Sequence, residues 1–234
     1  MGFSMRLREV HEIELSSRCN LACKYCPHPT LERPKADMSL RTFDATLSLI
    51  RKLCDAGTQG EVSLTGIGEA ILHPLFLPMA REVRRVIGPD RPLVLATNGV
   101  AMTEALVFEF ARLRPYVFVS LHRPEVAAPA IELLKKYGVQ HAVNAAFVTS
   151  SLDWAGQVEW HVSAPKTECQ YLARGWGVVR IDGKITTCCM DAHTKHAFGT
   201  VWSAADDLRL RPHSLCDACN LCPPVALKEA ALVA

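Results

Sequence analysis

Residues 11–26 read "HEIELSSRCNLACKYC": an alternating segment, "EIEL" at 12–15, runs directly into three cysteines, Cys19, Cys23 and Cys26, spaced CxxxCxxC. Alternation of polar and apolar residues is the mark of a half-buried strand, so the cysteines fall on the loop that follows it. A closed structural zinc site takes four ligands and a disulfide takes two. Three thiolates on one short loop instead leave a coordination position open, the feature that separates catalytic from structural metal centres. They can hold three irons of a 4Fe-4S cube and leave the fourth iron to an outside ligand. A zinc site completed by a remote residue is the plain alternative, although zinc knuckles favour C-x2-C pairs.

The rest of the chain sets the context. Its 234 residues, 49% apolar and 21% charged, can bury one domain or one domain with a small appendage, and no repeat period is visible. No apolar run approaches the roughly 18 to 20 residues of a membrane span, and "MGFSMRLREV" lacks the apolar core of a signal peptide. The expectation is a cytoplasmic protein with no membrane partner. A reducing compartment keeps thiols free, so clustered cysteines read as metal ligands before disulfides. Of the ten cysteines, three form the first group, Cys54 stands alone, and Cys169, Cys188, Cys189, Cys216, Cys219 and Cys222 lie in the last third. Two metal centres are expected. The formal net charge of +2 is too small to argue for a polyanionic partner.

Strand and helix signals alternate along the first two thirds. From Ser39, Leu40, Phe43, Leu47, Ile50 and Cys54 recur at helical steps and Gly57 supplies a stop; Cys54 lies on the apolar stripe as a buried free thiol. "EVSLT" (61–65), "LVLA" (93–96), "YVFVSL" (116–121) and "VQHAVNAAFV" (139–148) read as strands. Helices are expected over about 75–87, from Thr103, and over about 125–137, and "QVEWHVS" (157–163) is a candidate sixth strand. Such alternation predicts a parallel, right-handed α/β sheet. With five to six units, an incomplete parallel β/α barrel of the TIM type fits the length better than a full one of about 250 residues. After about residue 165 the pattern changes: "WGVVRIDGKITTCC" predicts a hairpin with a type I′ turn at Asp182-Gly183, followed by a short helical stretch near 202–210 and the tail "LCDACNLC". The division expected is 1–165 for the barrel and 166–234 for a small cysteine-rich domain, too small to hold itself by apolar burial alone.

CxxxCxxC after the first strand, with Tyr25 before the last cysteine, resembles the radical S-adenosylmethionine (SAM) superfamily. "TGIGEAIL" (65–72) is similar to that family's GGEP segment: Gly68 and Glu69 match, while Ile67 and Ala70 depart from its second glycine and proline. "LATNG" (95–99), carrying Thr97 and Asn98, is similar to the segment of the third strand that packs on the cofactor, and Ser120 and His122 fall where the family commonly contacts the ribose. Read singly, each has an ordinary meaning: a turn, a tight loop, a solvated carboxylate. Together they sit at the C-terminal ends of predicted strands, the face where α/β barrels carry their chemistry. The resemblance implies that Cys19, Cys23 and Cys26 bind a 4Fe-4S cluster whose open iron chelates SAM. Reductive cleavage then gives a 5′-deoxyadenosyl radical that removes hydrogen from an unactivated carbon.

The tail resembles the superfamily's twitch domain, a shortened SPASM domain, with Cys169, Cys188, Cys216 and Cys219 as ligands of a second 4Fe-4S cluster; four sulfurs also suit zinc. Adjacent strand residues face opposite ways, so Cys188 and Cys189 are not expected to be joint ligands, and Cys222 is an alternative to Cys219. In plan the chain is similar to the small radical dehydrogenases that oxidise 2-deoxy-scyllo-inosamine. The expected function is dehydrogenation of a small polar molecule, with a flavodoxin- or ferredoxin-like electron donor. The alternative is an isomerase, epimerase or crosslinking enzyme acting on a peptide, nucleotide or nucleic-acid base; a non-enzymatic metal-binding module would leave Glu69 and the "TNG" loop without a common purpose. Peptide-modifying relatives usually carry a leader-binding domain ahead of the motif, and the 18 residues before Cys19 weigh against that option. Arg123, Arg174, Tyr171, His161 and Lys166 all stay open as the catalytic base.

Overall fold

In a computed structural model of the chain, residues 4–144, 154–159 and 169–219 are described. Strand β1 (Met5–Arg6) precedes β2 (Glu9–Ile13), and four helix-strand units follow. These are α1 (Leu40–Asp55) with β3 (Val62–Leu64), α2 (Phe76–Ile87) with β4 (Leu93–Thr97), α3 (Glu104–Leu113) with β5 (Tyr116–Ser120), and α4 (Pro124–Lys136) with β6 (His141–Asn144). After them come α5 (Gln170–Arg174), β7 (Trp176–Val179), β8 (Lys184–Thr186), β9 (Ala197–Thr200), β10 (Arg209–Leu210) and α6 (Leu215–Ala218).

Local chemistry explains the helix starts. Ser39 Oγ accepts the Thr42 N–H at 3.1 Å at the head of α1, and Thr103 Oγ1 accepts the Leu106 N–H at 3.3 Å at the head of α3. Pro124 opens α4, where a missing N–H costs nothing. Each helix turns an apolar stripe to the sheet: Phe43, Leu47 and Ile50 on α1, Met79 and Val83 on α2, Val107 and Phe110 on α3. These residues and the apolar side chains of the parallel strands form one continuous core, with Cys54 packed partly buried against it.

The eight-stranded sheet has the order β6-β5-β4-β3-β2-β7-β8-β9. From β2 to β6 every strand lies parallel beside its predecessor, without the reversal of a doubly wound sheet, which is the progression of a partial β/α barrel. On the other side of β2, β7 pairs parallel, and β8 and β9 extend the sheet antiparallel. The C-terminal hairpin therefore continues the barrel sheet. The boundary expected near 165/166 lies outside the described residues.

Three expectations are corrected. The first strand occupies 9–13 instead of 12–15, and its register slips between Val10 and Glu12 against β7. The extra residue, His11, lets Val10 and Ile13, three positions apart, both join the apolar core, while Glu12 and Glu14 turn to the other side. The hairpin turn is not type I′. Asp182 keeps a negative φ, and Gly183, at φ +79°, donates its N–H to Arg180 O at 2.9 Å. Arg180-Ile181-Asp182-Gly183 thus closes as a four-residue turn whose last residue alone is left-handed, so glycine is needed once, not twice. In the candidate sixth strand, Gln157–Glu159 form a turn and bend, and 160–163 lie outside the described residues, as do 145–148 of the preceding expected strand.

Candidate functional site

The loops at the C-terminal ends of β2, β3, β4 and β5 open on one cleft, with about 1010 Å³ of space not filled by atoms, its mouth included. Cys19, Cys23 and Cys26 line it from the first loop, Gly68 and Glu69 from the second, Thr97 and Asn98 from the third, Ser120 and His122 from the fourth. All ten of the cofactor-side residues singled out in the sequence, Tyr25 included, are thereby on one wall system.

The geometry of each follows from its backbone. Gly68 packs on the main chain leading into the cysteines: a Cβ there would stand 2.4 Å from Ser16 O and 2.6 Å from Arg18 O. No other residue fits, and the contact is tied by Glu69 N–H to Arg18 O at 2.7 Å. The Glu69 carboxylate is 3% exposed and is held by the Asn98 N–H on Oε2 (2.8 Å) and the Ile71 N–H on Oε1 (3.5 Å). Burial pushes its pKa up to about 7, against the pull of these hydrogen bonds. Asn98 donates its side-chain amide to Asn20 Oδ1 at 2.8 Å and lies 3.8 Å from Cys19 Sγ, so the third loop braces the cysteine loop. Tyr25 Oη and His122 Nδ1 are 2.8 Å apart, and burial raises the phenol's pKa and lowers that of the imidazole.

The three thiols are electrostatically coupled. Burial pushes Cys26 up to about 11 and also raises Cys19, with each reinforced by its neighbours on the motif. Among the described residues no three His, Cys, Asp or Glu side chains converge as the ligands of a single ion would. The donors instead ring a space, and an all-thiol set of this kind suits iron-sulfur chemistry.

A second group of thiols, Cys169, Cys188, Cys189 and Cys219, packs in a small cluster of its own. Cys188 is buried with its pKa pushed up to about 12, first by burial and then by the neighbouring Cys219, Cys169 and Cys216. Its sequence neighbour Cys189 faces the cleft and sits beside Glu12, Tyr171 and Arg180. Cys222 lies outside the described residues. Of the five candidate bases, Arg123 and Arg174 are exposed, His161 and Lys166 lie outside the described residues, and Tyr171 is buried with its hydroxyl on Glu12 Oε1.

Sequence reasoning missed Glu12, Glu14, Trp154, Met190 and Arg180. Glu12, Trp154 and Met190 line the cleft. Trp154 donates its indole N–H to Tyr25 O at 3.0 Å. Glu14 Oε1 takes the Ile67 N–H at 3.0 Å and Arg33 Nη2 at 2.7 Å, which ties the second loop to the first strand. The alternation of "EIEL" held the signal for both glutamates. It marks two unlike faces, and Glu12 shows that the polar one borders the cleft.

Among described residues no helix is long and apolar enough to cross a membrane. In sequence, the chain is 34% identical over 104 residues to a tungsten-containing aldehyde ferredoxin oxidoreductase cofactor-modifying protein of Pyrococcus furiosus, covering 43% of this chain and 27% of that protein. It is 36% identical over 102 residues to a GTP 3′,8-cyclase of Parasynechococcus marenigrum, covering 41% of this chain and 28% of the cyclase. The matched segment is thus little more than a quarter of either relative. In fold, it is similar to BtrN in complex with AdoMet and 2-DOIA (TM-score 0.68, 19% identity, 86% of this chain and 80% of that one). It is also similar to anSMEcpe with bound AdoMet (TM-score 0.60, 16% identity, 82% and 74%). The family model of the Radical SAM superfamily matches residues 13–147, more than half of the chain and all four cleft loops, and the chain therefore belongs to the radical SAM superfamily, enzymes built on a 4Fe-4S cluster and SAM.

Proposed function

We propose that this enzyme dehydrogenates a small polar molecule, with Cys19, Cys23 and Cys26 holding the SAM-binding cluster and Cys169, Cys188, Cys216 and Cys219 holding a second 4Fe-4S cluster that accepts the substrate's second electron. The observation that carries the reading is the packing of Cys169, Cys188 and Cys219 in one cluster with Cys189 and Met190, which line the cleft of the first three cysteines. When bound, the first cluster and SAM supply a carbon-centred radical able to remove hydrogen from an unactivated carbon.

The chain's own residues position and enclose. Glu69, buried and held by two backbone N–H groups, receives the ammonium of SAM; Gly68 brings the loop's backbone close; Asn98 fixes the loop that carries Cys19. Tyr25 and His122 close the ribose side as a hydrogen-bonded pair. Leu21, Ile67, Trp154 and Met190 add apolar surface to the cleft wall, which helps to keep water from a reactive radical. A flavodoxin- or ferredoxin-like protein is the proposed electron donor, and a cytoplasmic location is part of the same reading.

The sequence relatives favour a second reading, modification of a nucleotide or a metal cofactor, since a cofactor-modifying protein and a GTP cyclase each match about two fifths of this chain. Iron and sulfide content after anaerobic reconstitution tests the first reading: about eight irons per chain are expected from two clusters. Four irons would remove the second site, and zinc without iron would remove both. Formation of 5′-deoxyadenosine under reducing conditions, lost in Cys23→Ala, tests the radical step.

A further inference from the structure

Arg180 follows β7 directly and, at 0% exposure, is the largest side chain fully removed from water among the described residues. Its Nη2 donates to the carbonyls of Cys188, Cys189 and Asp191 at 3.3, 3.2 and 2.9 Å, while Nε and Nη1 are buried with no hydrogen-bond partner. Its ion-pair partner among the described residues is already engaged: Glu14 stands 3.9 Å from Nη1 but meets Arg33 at 2.7 Å. Asp191, the buried carboxylate on the same loop, spends its two oxygens on the N–H groups of Lys195 and His196. One glutamate therefore stands against two guanidinium groups.

A guanidinium cannot shed its proton in a protein, so its burial is not relieved by neutralisation. Carbonyl dipoles satisfy donors but supply no full charge, and a buried cation without an anion is strongly destabilising. A residue that only gripped the loop would need donors and no charge, which an amide supplies with less desolvation. The loop that Arg180 grips accounts for the charge. It carries Cys188, which packs with Cys169 and Cys219. Four thiolates make a cluster anionic, an accepted electron adds one more negative charge, and the potential of such a group follows its net charge and surroundings.

We propose that Arg180 is the buried counter-charge of the second cluster: it holds the Cys188 loop by three carbonyls, and its cation favours the reduced state. This rests on the second cluster of the reading given above. The step served is a one-electron transfer in which the substrate's carbon radical is oxidised, the cluster is reduced, and the proton given up by the substrate ends in solvent. A unit charge roughly 8 Å away, at an effective dielectric of about 20, alters the affinity for an electron by roughly tenfold or more.

The test is a redox titration followed by electron paramagnetic resonance, on the anaerobically reconstituted full chain carrying Cys19→Ala, Cys23→Ala and Cys26→Ala, so that the second cluster is read alone. Adding Arg180→Met should weaken the cluster's hold on its electron about tenfold, about 59 mV for a one-electron couple. Arg180→Lys, which keeps the charge, should stay within about threefold of the parent. Glu14→Gln, which removes a neighbouring negative charge and keeps an acceptor for the Ile67 N–H, should shift the potential the other way. Equal potentials in parent and Arg180→Met, or equal falls in Arg180→Met and Arg180→Lys, would overturn the assignment and leave Arg180 as a grip on the loop. Should Arg180→Met lose its irons, Glu14→Gln decides: a rise supports the counter-charge and no change overturns it. Iron content separates the two claims. A parent without iron overturns the second cluster and the assignment with it; a parent with about four irons whose potential ignores both charges refutes the assignment alone.

Discussion

Glu69 carries a pH dependence whose sign can be worked out. Its pKa in the folded chain, about 7, lies above the 4.5 of a free carboxyl, because burial disfavours the charge more than its hydrogen bonds favour it. Between those values the folded state binds the extra proton. Its contribution to stability is therefore full below pH 4.5 and lost as pH rises through 7, at most about 3 kcal/mol. Denaturation of the ligand-free protein at pH 5 and pH 8 should show this fall in the wild type and a shallower one in Glu69→Gln; equal slopes would remove the carboxyl from the account. On the proposed contact with the SAM ammonium, the same variant should weaken SAM binding about ten- to a hundredfold, the worth of a charged hydrogen bond, read by equilibrium titration.

At the scale of elements, the helix starts are the most transparent part of the chain. Ser39 satisfies one N–H that α1 would otherwise leave open, so Ser39→Ala should cost about 1 kcal/mol in urea denaturation without altering the cleft. The hairpin turn is more demanding. At Gly183 a side chain would face both a left-handed backbone and the Trp202 ring 2.8 Å from the added carbon. Gly183→Ala is expected to cost more than the Ser39 change, because strain and clash add. A smaller loss would mean that Trp202, half exposed, simply swings aside. These two sites differ in how far the sequence could announce them. "S-x-x-T" before an apolar periodicity declares its role locally, whereas Asp-Gly fits more than one turn, and the choice was made by how β7 and β8 pair.

Across the whole molecule, one buried charge system joins parts distant in sequence. Glu14, just past the end of β2, holds Arg33 and the Ile67 N–H, with Arg180 3.9 Å away, and the two guanidinium groups reach the carbonyls of Cys188, Cys189, Asp191 and Ala192. The SAM-side loop and the second cysteine loop thus lean on the same carboxylate. Glu14→Ala would leave two buried guanidinium groups without an anion and should cost about 3–5 kcal/mol, enough to lower the melting temperature by many degrees. Replacing Glu14 and Arg180 together by leucine and methionine should recover part of that loss, since a buried pair costs desolvation on both sides. If the double variant is no better than the single, the role of Arg180 lies in its carbonyl contacts alone.

The sequence by itself determined the alternation of strands and helices and the spacing of the cysteine triad, because each depends on neighbours within a few positions: periodicity, caps, the intervals of one motif. Those signals are local, and local chemistry reads them. What only the tertiary structure decided is which face of the first strand is inside, how the hairpin turns, and which polar residues meet. Glu12 belongs to the polar side of that alternation, and β7 with the helix before it closes over it. Alternation states that two faces differ, but not which of them water reaches, and that is settled by packing between segments more than a hundred residues apart.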